Sequence, residues 1–379
     1  MMKNLTLVLG LMIIASPAFA SSARLNALGE NGATGSYYVQ DVRNIFLNPA
    51  QIVHFKKHFV LEFSPTDSAT AQGLFTNTFG DYTYGISLNN NSVRANTLVG
   101  FANTALAASN NQFLGPDRTI EAFLAGEATD MNWGLSLFYS GNGDRNNTSA
   151  YTVNGTSYNL SGATRTSHLF GVRAGVDMNN FAVFTTVGIT SNTAIQDANN
   201  LEMKGKVSVD VGATYTMDNT VAFAKFTTYG DDAVNVLGAG TTTEIRHQDY
   251  ALGLGHKYEA SKSVTLFSRL EADYAKDTRS NTSDAKSWNV PVAVGAEAQA
   301  LSWLALRGSV VQSLVGQNEA VSAGGLLVRT NGSTSLNAGA GLTFGDVQVD
   351  GTLSAAVAST STGFGIGSPL ANVAFSYNF

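Results

Sequence analysis

The chain of 379 residues is rich in apolar side chains and poor in charged ones, with 44% hydrophobic residues, 13% charged residues and a formal net charge of −6. The charged share is about half of the roughly 25% that globular proteins carry. The absence of cysteine excludes a disulfide scaffold and a thiolate zinc site. Acidic residues outnumber basic ones by 28 to 22, which excludes the basic surface of a nucleic-acid-binding protein.

Residues Met1–Ala20 contain the three parts of an export signal. Lys3 supplies the positive charge, Leu5–Ala15 the apolar stretch, and Ala18-Phe19-Ala20 the pattern of small residues at which such signals are cleaved. The apolar run is too short for a membrane-spanning helix, which needs about 20 residues. We therefore expect residues 1–20 to be a signal peptide that is cleaved after Ala20, and the protein to be exported.

The N-terminal segment, residues 21–55, shows no regular alternation of polar and apolar residues. It contains Ala27-Leu28-Gly29 near its start, Asp41 in its middle and Asn48-Pro49-Ala50 near its end. Proline restricts the preceding residue to extended conformations, and an asparagine side chain can bond to nearby backbone groups. Asn48-Pro49 therefore predicts a rigid corner. The aromatic and aliphatic residues around it would be poorly solvated in a free tail, so we expect this segment to be buried.

From residue 56 to the C-terminus, apolar and polar residues alternate with the period of two that is typical of β-strands. In the stretch Val264–Tyr274, for example, Leu266 and Leu270 share one face, whereas Arg269 and Glu271 share the other. The same alternation occurs at Trp133–Tyr139, Lys204–Tyr215, Asp249–Glu259, Val347–Val357 and Leu370–Phe379.

Short and long connections succeed one another along this region. Short turns are predicted at residues 129–130, 178–180, 217–219, 260–262, 300–302 and 345–346, and long polar stretches at 141–164, 190–203, 230–245, 276–287, 313–335 and 358–369. This order predicts an all-β fold, a closed antiparallel up-and-down transmembrane β-barrel with its short turns at one end. A lipocalin-like barrel would need only about eight strands, and a β-sandwich would not place its long loops so regularly.

The number of strands depends on what precedes Arg118. The six short-turn hairpins supply twelve strands, and Leu370–Phe379 supplies the last one. One further strand before Arg118 gives fourteen, and three give sixteen. Candidates for the extra strands lie at residues 59–64, 74–78 and 82–88, with Gly80-Asp81 as a turn between the last two.

The last strand ends in Phe379, with Phe375 and Tyr377 at alternate positions before it. This ending resembles the signal by which bacterial barrel proteins are recognised for insertion into the outer membrane. The resemblance implies that these three aromatic residues act as an insertion signal for the barrel-assembly machinery. It also implies a Gram-negative outer-membrane location, with outer-membrane lipid and lipopolysaccharide around the barrel.

The N-terminal motifs and the barrel plan resemble the FadL-like superfamily of outer-membrane transporters, which includes PorV-type barrels. Members start with an Ala-Leu-Gly stretch, followed by an acidic position and an Asn-Pro-Ala triplet before the first strand, as at Ala27-Leu28-Gly29, Asp41 and Asn48-Pro49-Ala50. The resemblance implies fourteen strands, which we favour over sixteen. It also implies that residues 21–55 form a hatch inside a barrel of residues 56–379. The expected hatch residues are Asp41, Arg43, Asn48, Pro49 and Ala50.

If the apolar faces meet lipid, the opposite faces line the interior. The charged residues of that parity are Glu62, Glu121, Glu127, Arg173, Asp177, Lys204, Lys206, Asp210, Lys225, Asp249, Lys257, Glu259, Arg269, Glu271, Asp273, Glu297, Arg307 and Asp350. Such charges must be hydrated or paired. They predict either a water-filled channel or ion pairs that involve Asp41 and Arg43 and close the axial route. Phe123, Phe267 and Trp303 share the inward parity, where they would contact an apolar ligand or the hatch.

The chain contains no motif that indicates catalysis. No HExxH sequence, Gly-rich phosphate loop or Ser/His/Asp arrangement is present, so we expect no enzyme, metal or cofactor. The favoured function is a FadL-like channel that passes small or hydrophobic solutes passively across the outer membrane. A general diffusion porin and a structural or adhesive surface barrel are the alternatives. The identity of the small-molecule solute and the choice between monomer and homotrimer stay open.

Overall fold

The computed structural model of the chain describes residues 21–63, 71–90, 114–116, 118–145, 150–153, 156–159, 164–196, 201–234, 242–280, 284–320, 327–328, 334–357, 365–366 and 372–379. The expected signal peptide lies outside these residues. The N-terminal segment contains a short helix, α1 (Ser22–Ala27), and two 3₁₀ helices, Val42–Phe46 and Pro49–His54. No helix in the described part of the chain is long and apolar enough to cross a membrane.

The strands follow in chain order. They are β1 (His58–Phe63), β2 (Gln72–Phe79), β3 (Tyr82–Leu88), β4 (Arg118–Ala128), β5 (Met131–Arg145), β6 (Ala150–Val153), β7 (Thr156–Asn159), β8 (Thr164–Met178), β9 (Phe181–Gln196), β10 (Leu201–Gly205), β11 (Ser208–Met217), β12 (Thr220–Val234), β13 (Thr242–Ser261), β14 (Val264–Arg279), β15 (Ala285–Leu301), β16 (Leu304–Ala320), β17 (Leu327–Val328), β18 (Thr334–Phe344), β19 (Val347–Val357), β20 (Gly365–Ile366) and β21 (Asn372–Asn378).

Nineteen of these strands form one antiparallel sheet that closes on itself, because β1 pairs with both β2 and β21. The strands β6 and β7 form a separate hairpin. The short strands β10, β17 and β20 pair with the same neighbours as β11, β18 and β21, which leaves sixteen positions around the ring of described strands. The prediction of a closed antiparallel barrel is confirmed, whereas the preference for fourteen strands is wrong. Three strands, β1 to β3, precede Arg118, and the first of them, β1, pairs with the last strand, β21.

The alternation seen in the sequence separates the two faces of the sheet. Residues of β3, and those of β4 as far as Ala125, switch between exposed and buried at each position. Large apolar side chains such as Leu252, which is 65% exposed, Leu137 and Phe344 point outward. Polar side chains such as Glu121 and Asp350 are buried on the inner face. The barrel thus has an apolar outside and a polar inside, the reverse of a water-soluble fold.

Most short turns lie where the sequence predicts them, including those at residues 80–81, 129–130, 179–180 and 345–346. Gly80 and Gly345 have positive φ angles of 58° and 62°, which glycine adopts without strain. Two turns are displaced, because β13 continues to Ser261 and β15 to Leu301. Trp303 consequently lies in a turn and is 45% exposed, so its expected inward position is wrong.

A break between β10 and β11 reverses the faces that the sequence pattern assigns. Met203 is buried on β10 and Ser208 on β11, so the inward parity changes from odd to even across residues 206–207. Lys206 Nζ lies 3.1 Å from Asp232 and 2.8 Å from Glu244, two residues whose strand parity places them on the outer face. The expectation that Lys206 and Lys204 line the lumen is therefore wrong, because a strand interruption resets the alternation.

The N-terminal segment packs on the inner face of the sheet. Helix α1 contacts β16, β18, β19 and β21, and the second 3₁₀ helix contacts β3, β4, β5 and β8 on another part of the wall. Two apolar clusters bury the segment. One joins Ile45, Phe46 and Ile52 to Phe123 of β4, and the other joins Leu25 and Leu28 to Phe267 of β14.

Candidate functional site in the barrel interior

The predicted corner at Asn48-Pro49 has the expected geometry. Asn48 is extended, with φ −131° and ψ 105°, and its side chain accepts a hydrogen bond from the backbone N–H of Ala50 at 3.0 Å. Its amide also donates to the carbonyl oxygen of Val176 on β8 at 3.3 Å. The corner therefore begins the second 3₁₀ helix and attaches it to the wall.

Glycines on the wall leave room for this corner. A side-chain Cβ placed on Gly134 of β5 would lie 2.3 Å from the backbone carbon of Pro49, and one placed on Gly175 of β8 would lie 2.0 Å from the Asn48 side-chain oxygen. Glycine in a strand often marks such close approaches of another part of the backbone. The segment and the wall are thus complementary in shape at this contact.

Four charged side chains join α1 to the opposite part of the wall. Arg24 Nε donates to Glu297 of β15 at 2.9 Å. Arg307 of β16 lies 2.5 Å from the same carboxylate and 2.6 Å from Asp350 of β19. The Ser21 hydroxyl donates to Asp350 at 3.2 Å. All are at least largely buried, so each charge depends on its partners for the solvation that it has lost.

Arg43 makes a second set of contacts. Its guanidinium donates to Glu62 of β1 at 3.0 Å and to the Gln72 side chain at 2.9 Å, and it also reaches Asn90 at 2.9 Å. The guanidinium lies 4.5 Å from the ring centroid of Phe46, a cation–π distance. Arg43 therefore ties the first 3₁₀ helix to β1 and β2, on a different side of the barrel from Arg24.

Asp41 lies between these two contact sets. Its side chain accepts the backbone N–H of Arg43 at 2.9 Å and lies 3.4 Å from Arg24 Nη1. Burial raises the pKa of the Asp41 carboxyl to about 7, although Arg24 acts in the opposite direction. The carboxylate is thus held at a position where its charge is costly unless Arg24 stays in place.

A cavity of about 940 Å³ lies between the N-terminal segment and the wall. Its sides are formed by strands from β5 to β15, and the segment contributes Glu30, Tyr37 and Phe46. The charged wall residues are Arg173, Asp210, Lys225, Asp249, Arg269, Glu271 and Asp273, together with His247. This central cavity is large enough for a small organic molecule, for which pockets of roughly 300–1,000 Å³ are usual.

The predicted lumen residues fall into four groups. The central cavity is lined by Asp210, Lys225, Asp249, Arg269, Glu271 and Asp273. Glu297 bonds to Arg24 of α1, Asp350 bonds to Ser21 just before α1, and Arg307 pairs with both carboxylates. Glu121 pairs with Arg173 at 2.6 Å, and Lys257 lies at an exposed strand end beside Glu259. Lys206 belongs to the outer face, as described above. Phe123 and Phe267 are buried against the N-terminal segment, which leaves no inward apolar patch at those two positions.

Several residues of this site were absent from the sequence-based set of hatch residues. Ser21, Arg24 and Tyr37 belong to the segment but have no motif of their own. A single arginine in the otherwise small and apolar stretch Ala23–Leu28 was the one signal that could have indicated Arg24. Thr227, which lines the central cavity, carries no sequence signal. In the described part of the chain, no group of acidic or histidine side chains is arranged to hold a metal ion.

No family model matches the chain, and no curated protein matches it. Solved structures that resemble it include the monoaromatic hydrocarbon channel CymD, with 12% identity over 96% of this chain and 99% of that one and a TM-score of 0.42. The Pseudomonas putida toluene transporter TodX shows 14% identity over 95% and 96% of the two chains, with a TM-score of 0.39. The ferric preacinetobactin receptor BauA of Acinetobacter baumannii shows 10% identity over 79% and 54%, with a TM-score of 0.47. Scores this low define neither a family nor a substrate for this chain.

Proposed function

We propose that this protein is an outer-membrane β-barrel transporter that passes small solutes and whose N-terminal segment acts as a hatch. The observation that carries the proposal is a closed ring with an apolar outside and a polar cavity inside, bounded by a segment of the same chain. Sixteen-stranded membrane barrels commonly leave an aqueous channel, so a segment folded inside has a passage to obstruct.

The outer surface supports a position in a membrane. Phe226, Tyr250, Tyr274 and Trp288 form a row across β12 to β15, with neighbouring ring centroids 5.0, 6.1 and 4.6 Å apart. Tyr258 lies on the same face of β13, eight residues beyond Tyr250, which is roughly 27 Å along the strand. With a strand tilt of about 40°, this corresponds to an apolar band of roughly 21 Å between two aromatic levels, close to the height usual for outer-membrane barrels.

The charged contacts of the segment support a hatch. Arg24 and Arg43 fasten it to β15 and to β1, which lie at well-separated positions around the ring. Each contact is largely buried, and separating a buried pair leaves charges without compensation, at a cost of about 3–5 kcal/mol. A segment held in this way stays in the lumen unless a solute or another protein replaces these contacts.

The lining of the central cavity favours a hydrophilic solute. Its walls carry eight charged or histidine side chains, and the two aromatic residues that the sequence predicted to point inward and the structure buries, Phe123 and Phe267, are covered by the segment. An apolar molecule would have to remove water from these charged groups without replacing their hydrogen bonds. The hydrophobic solutes that the FadL-like resemblance implies are therefore less suited to this cavity than polar ones.

Conductance in planar bilayers tests the transport proposal. We expect low single-channel conductance for the mature protein and a several-fold increase for the Arg24→Gln/Arg43→Gln double variant, because both fastenings of the segment are weakened. Arg246→Gln, on the exposed outer face, is the matched control and should behave like the unmodified protein. High ohmic conductance before any substitution would overturn the hatch and favour a general porin. Silence of every variant would overturn transport.

A further inference from the structure

The charges around the central cavity are unbalanced. Five carboxylates line it, from Glu30, Asp210, Asp249, Glu271 and Asp273, against three basic side chains, from Arg173, Lys225 and Arg269. Arg173 is engaged by Glu121, 2.6 Å away and outside the lining. Arg269 lies 3.4 Å from both Glu30 and Glu271. In the part of the chain that the structure describes, no basic side chain forms a direct ion pair with Asp249 or Asp273.

Asp249, Glu271 and Asp273 line the central cavity together with one aromatic residue of the N-terminal segment, Tyr37. Burial raises the pKa of the Tyr37 hydroxyl, and the negative charge of the three carboxylates raises it further. Tyr37 is stacked on Phe223 of the wall, with ring centroids 4.4 Å apart. Its hydroxyl therefore stays protonated and lies in a region of negative potential.

A second observation indicates that something is bound here. The Thr227 hydroxyl lines the cavity on a residue that is only 7% exposed, and it has no hydrogen-bond partner among the described residues. A buried hydroxyl without a partner is costly unless water or a ligand satisfies it. Thr227 lies on β12, opposite Asp249 of β13 in the strand register, so this hydroxyl is adjacent to the acidic region.

The shape of the acidic region favours an organic cation over a metal ion. In the described part of the chain, no three acidic or histidine side chains come together as metal ligands do. The same cavity is lined by Tyr37, by Phe138 and by Tyr229 stacked on His247 at 4.5 Å. The interior already holds a cation over an aromatic ring, since the Arg173 guanidinium lies 4.8 Å from the Phe138 centroid. Aromatic faces beside carboxylates are typical of sites for substituted ammonium groups.

We propose that the central cavity binds a small organic ammonium compound, whose charge is neutralised by Asp249 and Asp273 and whose apolar groups contact Tyr37 and Tyr229. This rests on the proposed function in that it names the solute class of the same cavity. The Thr227 hydroxyl would accept or donate one hydrogen bond to the polar part of the solute. No bond is made or broken, and the solute leaves unchanged.

Equilibrium binding to the purified protein in detergent tests the proposal without requiring transport. The probe is choline, and its uncharged isostere 3,3-dimethylbutan-1-ol measures the contribution of the charge. We expect calorimetric titration to show at least tenfold weaker binding of the isostere. Equal binding of the two compounds, or binding of neither, would overturn the proposal, as would displacement of choline by potassium ions at comparable concentrations.

Variants locate the site. Asp249→Asn/Asp273→Asn should weaken choline binding at least tenfold, and Thr227→Val, which keeps the shape of the side chain, should weaken it several-fold. Glu259→Gln, at an exposed strand end, should leave it unchanged. Unchanged binding in both cavity variants would overturn the assignment to this cavity. If choline binds but no variant conducts in bilayers, the transport proposal fails while the binding site is supported.

Discussion

Arg24 and Glu297 are 273 positions apart in the chain, yet Nε of Arg24 lies 2.9 Å from a carboxylate oxygen of Glu297. The same carboxylate pairs with Arg307, so one acidic residue of β15 holds both the N-terminal segment and the neighbouring strand. Burial works against the charge of Arg24, but the carboxylates of Glu297, Asp41 and Asp350 together outweigh it, and the pKa of Arg24 is raised. The pair thus makes the position of the segment depend on a residue of the wall.

Glu297→Gln should release the start of the N-terminal segment. Removing the charge leaves two buried guanidinium groups with less compensation, which costs about 3–5 kcal/mol for a buried pair. Hydrogen exchange of the amides in α1 should become markedly faster, while exchange in β13 and β14 stays slow. Glu259→Gln, the exposed control, should change neither. Equal exchange in Glu297→Gln and the unmodified protein would show that the pair does not hold the segment.

Gly134→Ala should displace the corner at Asn48-Pro49. The added carbon would lie 2.3–2.5 Å from backbone atoms of Pro49 and Ala50, which cannot move as a flexible side chain could. We expect a loss of about 1–3 kcal/mol in stability, the usual cost of an overpacked contact. Gly351→Ala is the matched control, because no atom lies within 4 Å of the position of its added carbon. Chemical unfolding in detergent or lipid measures both, and equal stability of the two variants would contradict the contact.

Docking of the segment should weaken as the pH rises. The pKa of Asp41 is raised from about 4 in an unfolded chain to about 7 in the folded protein. The docked state therefore holds a proton that the undocked state has lost, and its stability is complete below about pH 4 and declines as the pH rises through 7. The groups facing Asp41 are Arg24, Arg43 and Glu62.

Hydrogen exchange of residues 42–54 at pH 5 and pH 8, corrected for the intrinsic rate of exchange, measures this effect. We expect greater protection at pH 5. Asp41→Asn should remove the difference, because the amide does not titrate. A difference that persists in Asp41→Asn would assign the pH dependence to another group.

Leu254→Arg should interfere with insertion of the barrel. Leu254 is 48% exposed on the outer face of β13, midway between the aromatic levels of Tyr250 and Tyr258. An arginine in the middle of the lipid-facing band costs about 2–4 kcal/mol, and one near the interface about 0–1 kcal/mol. Gln248→Arg, on the same face and beyond Tyr250, is the control. Urea unfolding in liposomes should separate the two variants, and equal stability would place the membrane elsewhere.

Phe379→Ala should slow assembly more than it lowers stability. Phe379 stacks on Phe75 of β2 at 5.7 Å and on Tyr377 at 6.1 Å, on the outer face where β21 closes the ring with β1. As part of the expected insertion signal, its ring would matter mainly during recognition by the assembly machinery. The rate of folding into liposomes that contain this machinery should fall several-fold, with little change in liposomes without it. An equal reduction in both would indicate a role in packing alone.

The local pattern of the chain was sufficient to predict the type of fold. Alternation requires no knowledge of distant contacts, because each residue of a strand faces opposite to its neighbour. The stretches around Leu266 and Tyr377 therefore identified strands and their outward faces correctly. The corner at Asn48-Pro49 was predictable for the same reason, since the restraint imposed by proline acts on the adjacent residue.

The tertiary structure decided which strands pair and what fills the lumen. The sixteen positions arise because β1 to β3 continue the ring and β1 pairs with β21, more than 300 residues away. Lys206 changed faces because alternation loses its phase wherever a strand is interrupted. The partners of Arg24, Arg43 and Tyr37 lie on distant strands. The composition alone gave the small number of charges and the abundance of apolar residues. The acidic lining of the central cavity, in contrast, exists only once the sheet has closed and has brought residues of separate strands together.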